Sequence, residues 1–193
     1  MTDWLKLRLG ADAVQRLLPH RRPFLLVDVV EAIALGPRPR LRARKMLSAN
    51  EPVFEGHFPG LSLWPGVYTI EGLGQTTNLL NLIGALIDAG ASEGVSASAV
   101  LDALRALDKL ARPGAAPPTA DVQRLLAALG EPRTRIGYAG AIDVKLIEPV
   151  YAGAVLEYVV TQTHVLANAR RFDVEARVDD RPVARGTVTS ATA

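Results

Sequence analysis

From Pro65 to about Ala85 the chain carries apolar side chains nearly all round a helical wheel, with glycines at 66, 72, 74 and 84. A helix of about 20 residues spans roughly 30 Å. One that is apolar on every side has to be surrounded by protein rather than laid on a surface. The glycines lower helix propensity, but they let other backbone approach closely. The rest of the 193-residue chain therefore has to supply a wall around this helix.

A sheet is the available wall. The apolar and β-branched stretch from Phe24 to Leu35 predicts a buried strand, with Gly36-Pro37 as the turn after it. Leu41, Ala43, Lys45 and Leu47 then alternate with Arg40, Arg42 and Arg44, which predicts a half-exposed strand with a basic outer face. In the C-terminal part, strands are expected over Tyr138 to Ile147, Ala154 to Val165, Arg170 to Val178 and Pro182 to Val188, with Asp179-Asp180-Arg181 turning between the last two. A short helix over Ala11 to Leu18 ends at Pro19. One long helix with an antiparallel meander is an α+β arrangement. With 49% apolar residues, 1–193 is expected to form a single domain around one core.

Residues 86–134 read as a helical insertion within that domain. Ser98 can cap a helix through Leu101, Leu104, Leu107 and Ala111, and Thr119 a second through Val122, Leu125, Leu126 and Leu129. Between them lies the linker from Arg112 to Pro118.

Several function classes drop out. A net charge of +2, from 22 basic and 20 acidic residues, is too small to imply a nucleic-acid partner. Without cysteine there is no disulfide, thiol nucleophile or thiolate metal site. Charges alternate through Met1 to Gly10, so no signal peptide or membrane span is expected and a cytoplasmic location follows. Chemistry has to come from histidine, carboxylates, hydroxyls or the backbone.

Three features can carry it. His57 sits between Gly56 and Phe58-Pro59-Gly60, a loop constrained enough to hold an imidazole in place, and histidine is the commonest general base near neutral pH. Glu71 is a carboxylate among Val67, Ile70, Leu73 and Leu80, where an unpaired charge costs several kcal/mol. The helix entry Trp64-Pro65-Gly66-Val67 leaves backbone N–H groups at Gly66 and Val67 without helical partners, able to hold an oxyanion. Each feature alone also fits a structural role: a solvated loop histidine, an acid bonded to Gln75 one turn on, an ordinary Pro-Gly entry.

Together they resemble a known family. Leu18-Pro19-His20-Arg21-Arg22-Pro23-Phe24-Leu25-Leu26-Val27-Asp28, Asn50-Glu51-Pro52, Gly56-His57-Phe58-Pro59-Gly60, Pro65-Gly66-Val67 and Glu71-Gly72-Leu73-Gly74-Gln75 resemble, in order and spacing, the FabZ-type 3-hydroxyacyl-acyl-carrier-protein dehydratases. Tyr138-Ala139-Gly140 and Glu148-Pro149-Val150 continue the match after the insertion. The resemblance implies a hot-dog fold whose dimer buries the acyl chain between subunits, with the histidine from one subunit and the carboxylate from the other. It implies that His57 takes a proton from C2, that Glu71 protonates or orients the departing C3 hydroxyl, and that the Gly66 N–H polarises the thioester carbonyl. Phe58, Trp64, Gln75 and Tyr138 become candidate tunnel residues, while His20 is read as shaping the loop near the site and His164 as structural.

No metal or cofactor is implied. An acyl carrier protein would bring the substrate, with Arg133, Arg135, Lys145, Arg170 and Arg171 as candidate docking residues, and homodimers could assemble as trimers of dimers. Two other readings remain: a hot-dog thioesterase, and a non-catalytic carrier-binding partner subunit. Departures from the family pattern are Trp64 in place of a smaller residue, Gly72 and Gly74 in place of alanines, and the insertion, for which a lid or an oligomer contact is expected.

Overall fold

In a computed structural model that describes residues 3–110, 112–130, 137–166 and 169–191, an antiparallel sheet wraps one long helix. Strand β1 (Leu5–Leu9) precedes helix α1 (Ala11–Leu17) and strands β2 (Val29–Ala34) and β3 (Arg40–Met46). A 3₁₀ turn at Pro52–Glu55 leads to helices α2 (Gly66–Ser92), α3 (Ala97–Leu107) and α4 (Ala120–Leu129). Strands β4 (Tyr138–Leu146), β5 (Val155–Leu166), β6 (Ala169–Val178) and β7 (Arg181–Ala191) complete the chain. The sheet order is β1-β2-β3-β5-β6-β7-β4, so β1 and β4 are opposite edges. This is the hot-dog fold.

Alternation decides which face meets the helix. The β3–β5 register pairs Leu41 with Val160, Ala43 with Tyr158 and Lys45 with Leu156, and all six are buried. Arg40, Arg42 and Arg44 point the other way and keep partial exposure. Against the inner face α2 packs Leu73, Leu79, Leu80 and Ile83. Gly72 makes the closest approach: a Cβ there would lie 2.3 Å from the Tyr158 hydroxyl oxygen, so a side chain at 72 would displace this fully buried tyrosine. The β6–β7 turn takes Asp179 and Asp180 into the left-handed region at φ of 48° and 64°, as a two-residue hairpin requires.

Several boundaries differ from the sequence expectation. Phe24 to Asp28 does not join the strand, because the Gln75 side chain takes its polar groups: Leu26 N–H donates to Gln75 Oε1 and Gln75 Nε2 donates to the Phe24 carbonyl, both at 2.8 Å. α2 runs on to Ser92, past Ala85, since Leu86 is still buried and the first residue beyond it to turn left-handed is Gly94. Ser96, not Ser98, caps α3 by accepting from Ala99 N–H, while Thr119 caps α4 as expected. β1 went unread, although Leu5, Leu7 and Leu9 alternate with Lys6 and Arg8 as an edge strand does.

Helices α3 and α4 belong to the core. Val100, Leu101, Leu104 and Leu107 of α3, with Val122, Leu125 and Leu129 of α4, join the same buried cluster as α2. Asp108 accepts a 2.7 Å hydrogen bond from Gly10 N–H, which ties the end of α3 to the end of β1. No helix among the described residues is long and apolar enough to cross a membrane.

Candidate active site

The loop that carries His57 is fastened at its base by a buried lysine. Lys45 Nζ lies 2.5 Å from Glu51 Oε1 and 3.4 Å from Asp28 Oδ2, joining β3, the loop and the segment before β2. From there the chain makes its 3₁₀ turn, and His57 N–H donates to the Val53 carbonyl at 2.9 Å. The imidazole Nδ1 is 2.9 Å from the Leu63 carbonyl oxygen. A carbonyl can only accept, so Nδ1 carries a proton, and in the neutral ring the lone pair is on Nε2. The ring also stacks on Phe58, centroid to centroid at 4.2 Å.

His57, Trp64, Gly66 and Leu146 line one cavity of about 260 Å³. Pro65 precedes the helix, and its carbonyl accepts from Tyr68 N–H at 3.0 Å and Thr69 N–H at 3.4 Å. The N–H groups of Gly66 and Val67 have no partner among the described residues. Glycine at 66 keeps this corner open, since a Cβ would lie 2.3 Å from Leu146 Cδ1. Trp64 is buried edge-on to Phe54 and Tyr68, at 6.0 and 5.3 Å.

Glu71 faces a second cavity, of about 350 Å³, with His20, Gln75, Asn78, Tyr138 and Arg170. Its side chain is 32% exposed, more open than its apolar sequence neighbours suggest, because α2 turns this edge toward the cavity. Gln75 Nε2 donates to Glu71 Oε1 at 3.0 Å, and His20 Nε2 is 3.5 Å from the same oxygen. Burial lowers the His20 pKa below its usual value, Glu71 opposes that and Arg21 adds to it. His20, read from the sequence as shaping a loop, thus stands beside the candidate acid. Its place in the Leu18-to-Asp28 motif was the available signal.

Within one chain, then, His57 meets Gly66 and Trp64 while Glu71 meets His20 and Gln75, and the two groups open on different cavities. Of the candidate tunnel residues, Gln75 and Tyr138 line the Glu71 cavity and Trp64 the His57 cavity, while Phe58 lines neither. Val67, at 66% exposure, leads an exposed apolar set with Phe58, Leu61, Ile142, Leu146 and Tyr151. Among the basic candidates, Lys145 and Arg171 are exposed, Arg170 lines the Glu71 cavity, and Arg133 and Arg135 lie outside the described residues. His164 is exposed on β5. Neither α3 nor α4 lines either cavity; α3 packs on β1, α2 and α4, and α4 on α3 and α2.

Comparison with known proteins bears on the same residues. Residues 18–103 match the model of the FabA-like domain. The 3-hydroxyacyl-acyl-carrier-protein dehydratase FabZ of Aeromonas hydrophila is 47% identical over 76 residues, 39% of this chain and 50% of that protein. That of Anaeromyxobacter is 51% identical over 72 residues, covering 37% and 44%. That of Cereibacter sphaeroides is 44% identical over 90 residues, covering 46% and 56%. The resemblance to FabZ-type proteins therefore holds, and the chain spans about half the length of the curated relatives it matches. Among solved structures, the dehydratase heterocomplex ApeI:P from Xenorhabdus doucetiae superposes with a TM-score of 0.55 at 14% identity, over 93% of this chain and 90% of that one.

Proposed function

We propose that this chain, as a cytoplasmic homodimer, eliminates water from 3-hydroxyacyl groups carried on an acyl carrier protein. One observation carries the reading: a histidine whose Nδ1 is engaged by Leu63 O, which in the neutral ring leaves the lone pair on Nε2, shares a cavity with Gly66, whose N–H has no partner among the described residues. A base beside an oxyanion donor is what removing a proton next to a thioester carbonyl requires. Hydrolysis would need no base at C2.

In the proposed reaction the Gly66 N–H, helped by Val67 N–H, donates to the thioester oxygen and stabilises the enolate-like charge. His57 Nε2 accepts the C2 proton, the electron pair of that bond forms the C2–C3 double bond, and the C3–O bond breaks. Glu71 either protonates the departing hydroxyl or orients it to receive the proton that His57 has taken from C2, so that it leaves as water, and Gln75 holds the carboxyl in place. The product is the 2-enoyl thioester.

A second subunit is the natural way to bring Glu71 to His57. β4 is a nine-residue edge strand whose only ladder among the described residues is to β7, and Tyr138, Ile142 and Leu146 leave it with an apolar, exposed surface. Such an edge calls for a partner strand. Two copies paired along β4 would place one α2 beside the other's His57 loop. Exposed Lys145 and Arg171 are available to an acidic carrier protein.

The test is conversion of a carrier-linked 3-hydroxyacyl thioester to its 2-enoyl product by the wild type and by folded His57→Ala and Glu71→Gln. Loss of turnover in both variants supports the reading. Release of free carrier thiol without any enoyl product would replace it with a thioesterase.

A further inference from the structure

The cavity that begins at Glu71 carries a row of polar side chains within a lining that also includes Leu82, Ala85, Tyr138 and Val188. On α2 it is lined by Gly74, Asn78 and Asn81, which follow Glu71 at three- and four-residue steps and so share its face. Across from them stand Arg170 of β6 and Ser190 of β7. Arg170 Nη1 donates to Asn81 Oδ1 at 3.2 Å, and Asn81 Nδ2 donates to Ser190 Oγ at 3.0 Å, so side chains from three elements hold one another in position. The Asn78 amide makes no hydrogen bond among the described residues. Gly74 leaves the space between Glu71 and Asn78 clear: a Cβ there would meet nothing within 4 Å.

An alkyl chain lying in this space would take the amides and the guanidinium out of water without replacing their hydrogen bonds. A chain with an acceptor oxygen at that level would replace them. At 1.5 Å of rise per residue, Asn78 lies about 10 Å and Asn81 about 15 Å along the helix from Glu71. Glu71 is the only carboxylate lining the cavity among the described residues, so no neighbouring acid there neutralises Arg170.

We propose that this cavity selects acyl groups ending in a carboxylate, which accepts from Arg170 and Asn78, with Asn81 and Ser190 fixing the guanidinium. The assignment of the Glu71 end to the reacting carbons rests on the dehydratase reading; the placement of Arg170, Asn78 and Asn81 does not. Arg170 and Asn78 are specificity residues in this scheme and take no part in the elimination.

Two 3-hydroxyacyl groups of equal length on carrier protein, one ending in methyl and one in carboxylate, would be compared with 3-hydroxybutyryl as substrates of the wild type, Arg170→Met and Asn78→Leu. The wild type is expected to favour the carboxylate by about tenfold or more in kcat/KM, or 1.4 kcal/mol. Arg170→Met should abolish that preference mainly through KM, and Asn78→Leu should shift it toward methyl. A wild type that turns over the methyl-ended or butyryl group as well as the carboxylate overturns the proposal. So does a preference that survives both substitutions. Absence of all turnover would sink the dehydratase reading alone, so binding of the corresponding saturated acyl-pantetheines, which cannot react, is measured by calorimetry on the same proteins. Equal affinity for methyl and carboxylate ends there overturns the cavity assignment whatever the enzyme does.

Discussion

His57 and Glu71 belong to different cavities of the same chain, one beside Gly66 at the helix entry and the other beside His20 and Gln75. If each active site joins His57 of one subunit to Glu71 of its partner, single variants should complement. Mixing His57→Ala with Glu71→Gln through subunit exchange makes half the dimers mixed, each with one intact site. Roughly a quarter of wild-type activity should then return. No recovery, with exchange demonstrated by mass, would place both residues of a site in one subunit.

Lys45 is buried between Glu51 and Asp28, and the 3₁₀ turn leading to His57 begins directly after Glu51. Lys45→Met would leave two partly buried carboxylates without their cation. A loss of about 3 kcal/mol in denaturant unfolding is expected, below the upper end for buried pairs because both acids keep some water. In protein that remains folded, kcat should fall more than KM rises, since the loop positions His57. Unchanged stability would show that the ion pairs are not formed in solution.

Position 72 has no room for a methyl group. Gly72→Ala would press its Cβ against the ring and hydroxyl of Tyr158, costing about 1–3 kcal/mol even though alanine is the better helix former. Tyr158→Phe would remove a buried hydroxyl that has no hydrogen-bond partner among the described residues, and is expected to be neutral or to stabilise by up to about 1 kcal/mol. Thermal melts of the two variants suffice. A fully stable Gly72→Ala would mean that Tyr158 can leave its place at little cost.

His20 gives the fold a dependence on pH. Its folded pKa is lowered from 6.5, by burial first, so below that value the unfolded chain binds the proton more readily. The stability associated with neutral His20 is present above pH 6.5 and is lost as pH falls toward the folded pKa. Stability followed from pH 7.5 to 5 should therefore decline more in the wild type than in His20→Gln. Parallel curves would show that His20 is not held neutral by its surroundings.

Much of the candidate site was legible because it is built from short motifs with unusual local demands. Gly56 to Gly60, the Pro65-Gly66 entry and the acid at 71 each announced themselves, and the N–H groups of Gly66 and Val67 have no partner among the described residues. The tie between Glu71 and Gln75 could also be read, as they are one helical turn apart. The contact of His20 with Glu71 was not readable, since 51 residues separate them and no periodicity links a loop to a helix. Phe24 to Asp28 looked like strand for a similar reason: apolar content marks burial, but the glutamine that takes its backbone hydrogen bonds comes from α2.

From residue pattern alone came the long buried helix, the antiparallel meander around it, and the chemical types at 57, 66 and 71, because these depend on spacing along the chain. Tertiary structure decided which groups share a cavity or a contact: that Arg170 turns inward to Asn81, that Gly72 accommodates Tyr158, and that α3 packs on β1 and α2 while α4 packs on α3 and α2. Such pairings depend on how the sheet curls around α2 and on which edge stays open. Those outcomes are set by the packing of distant side chains, which no local period in the sequence encodes.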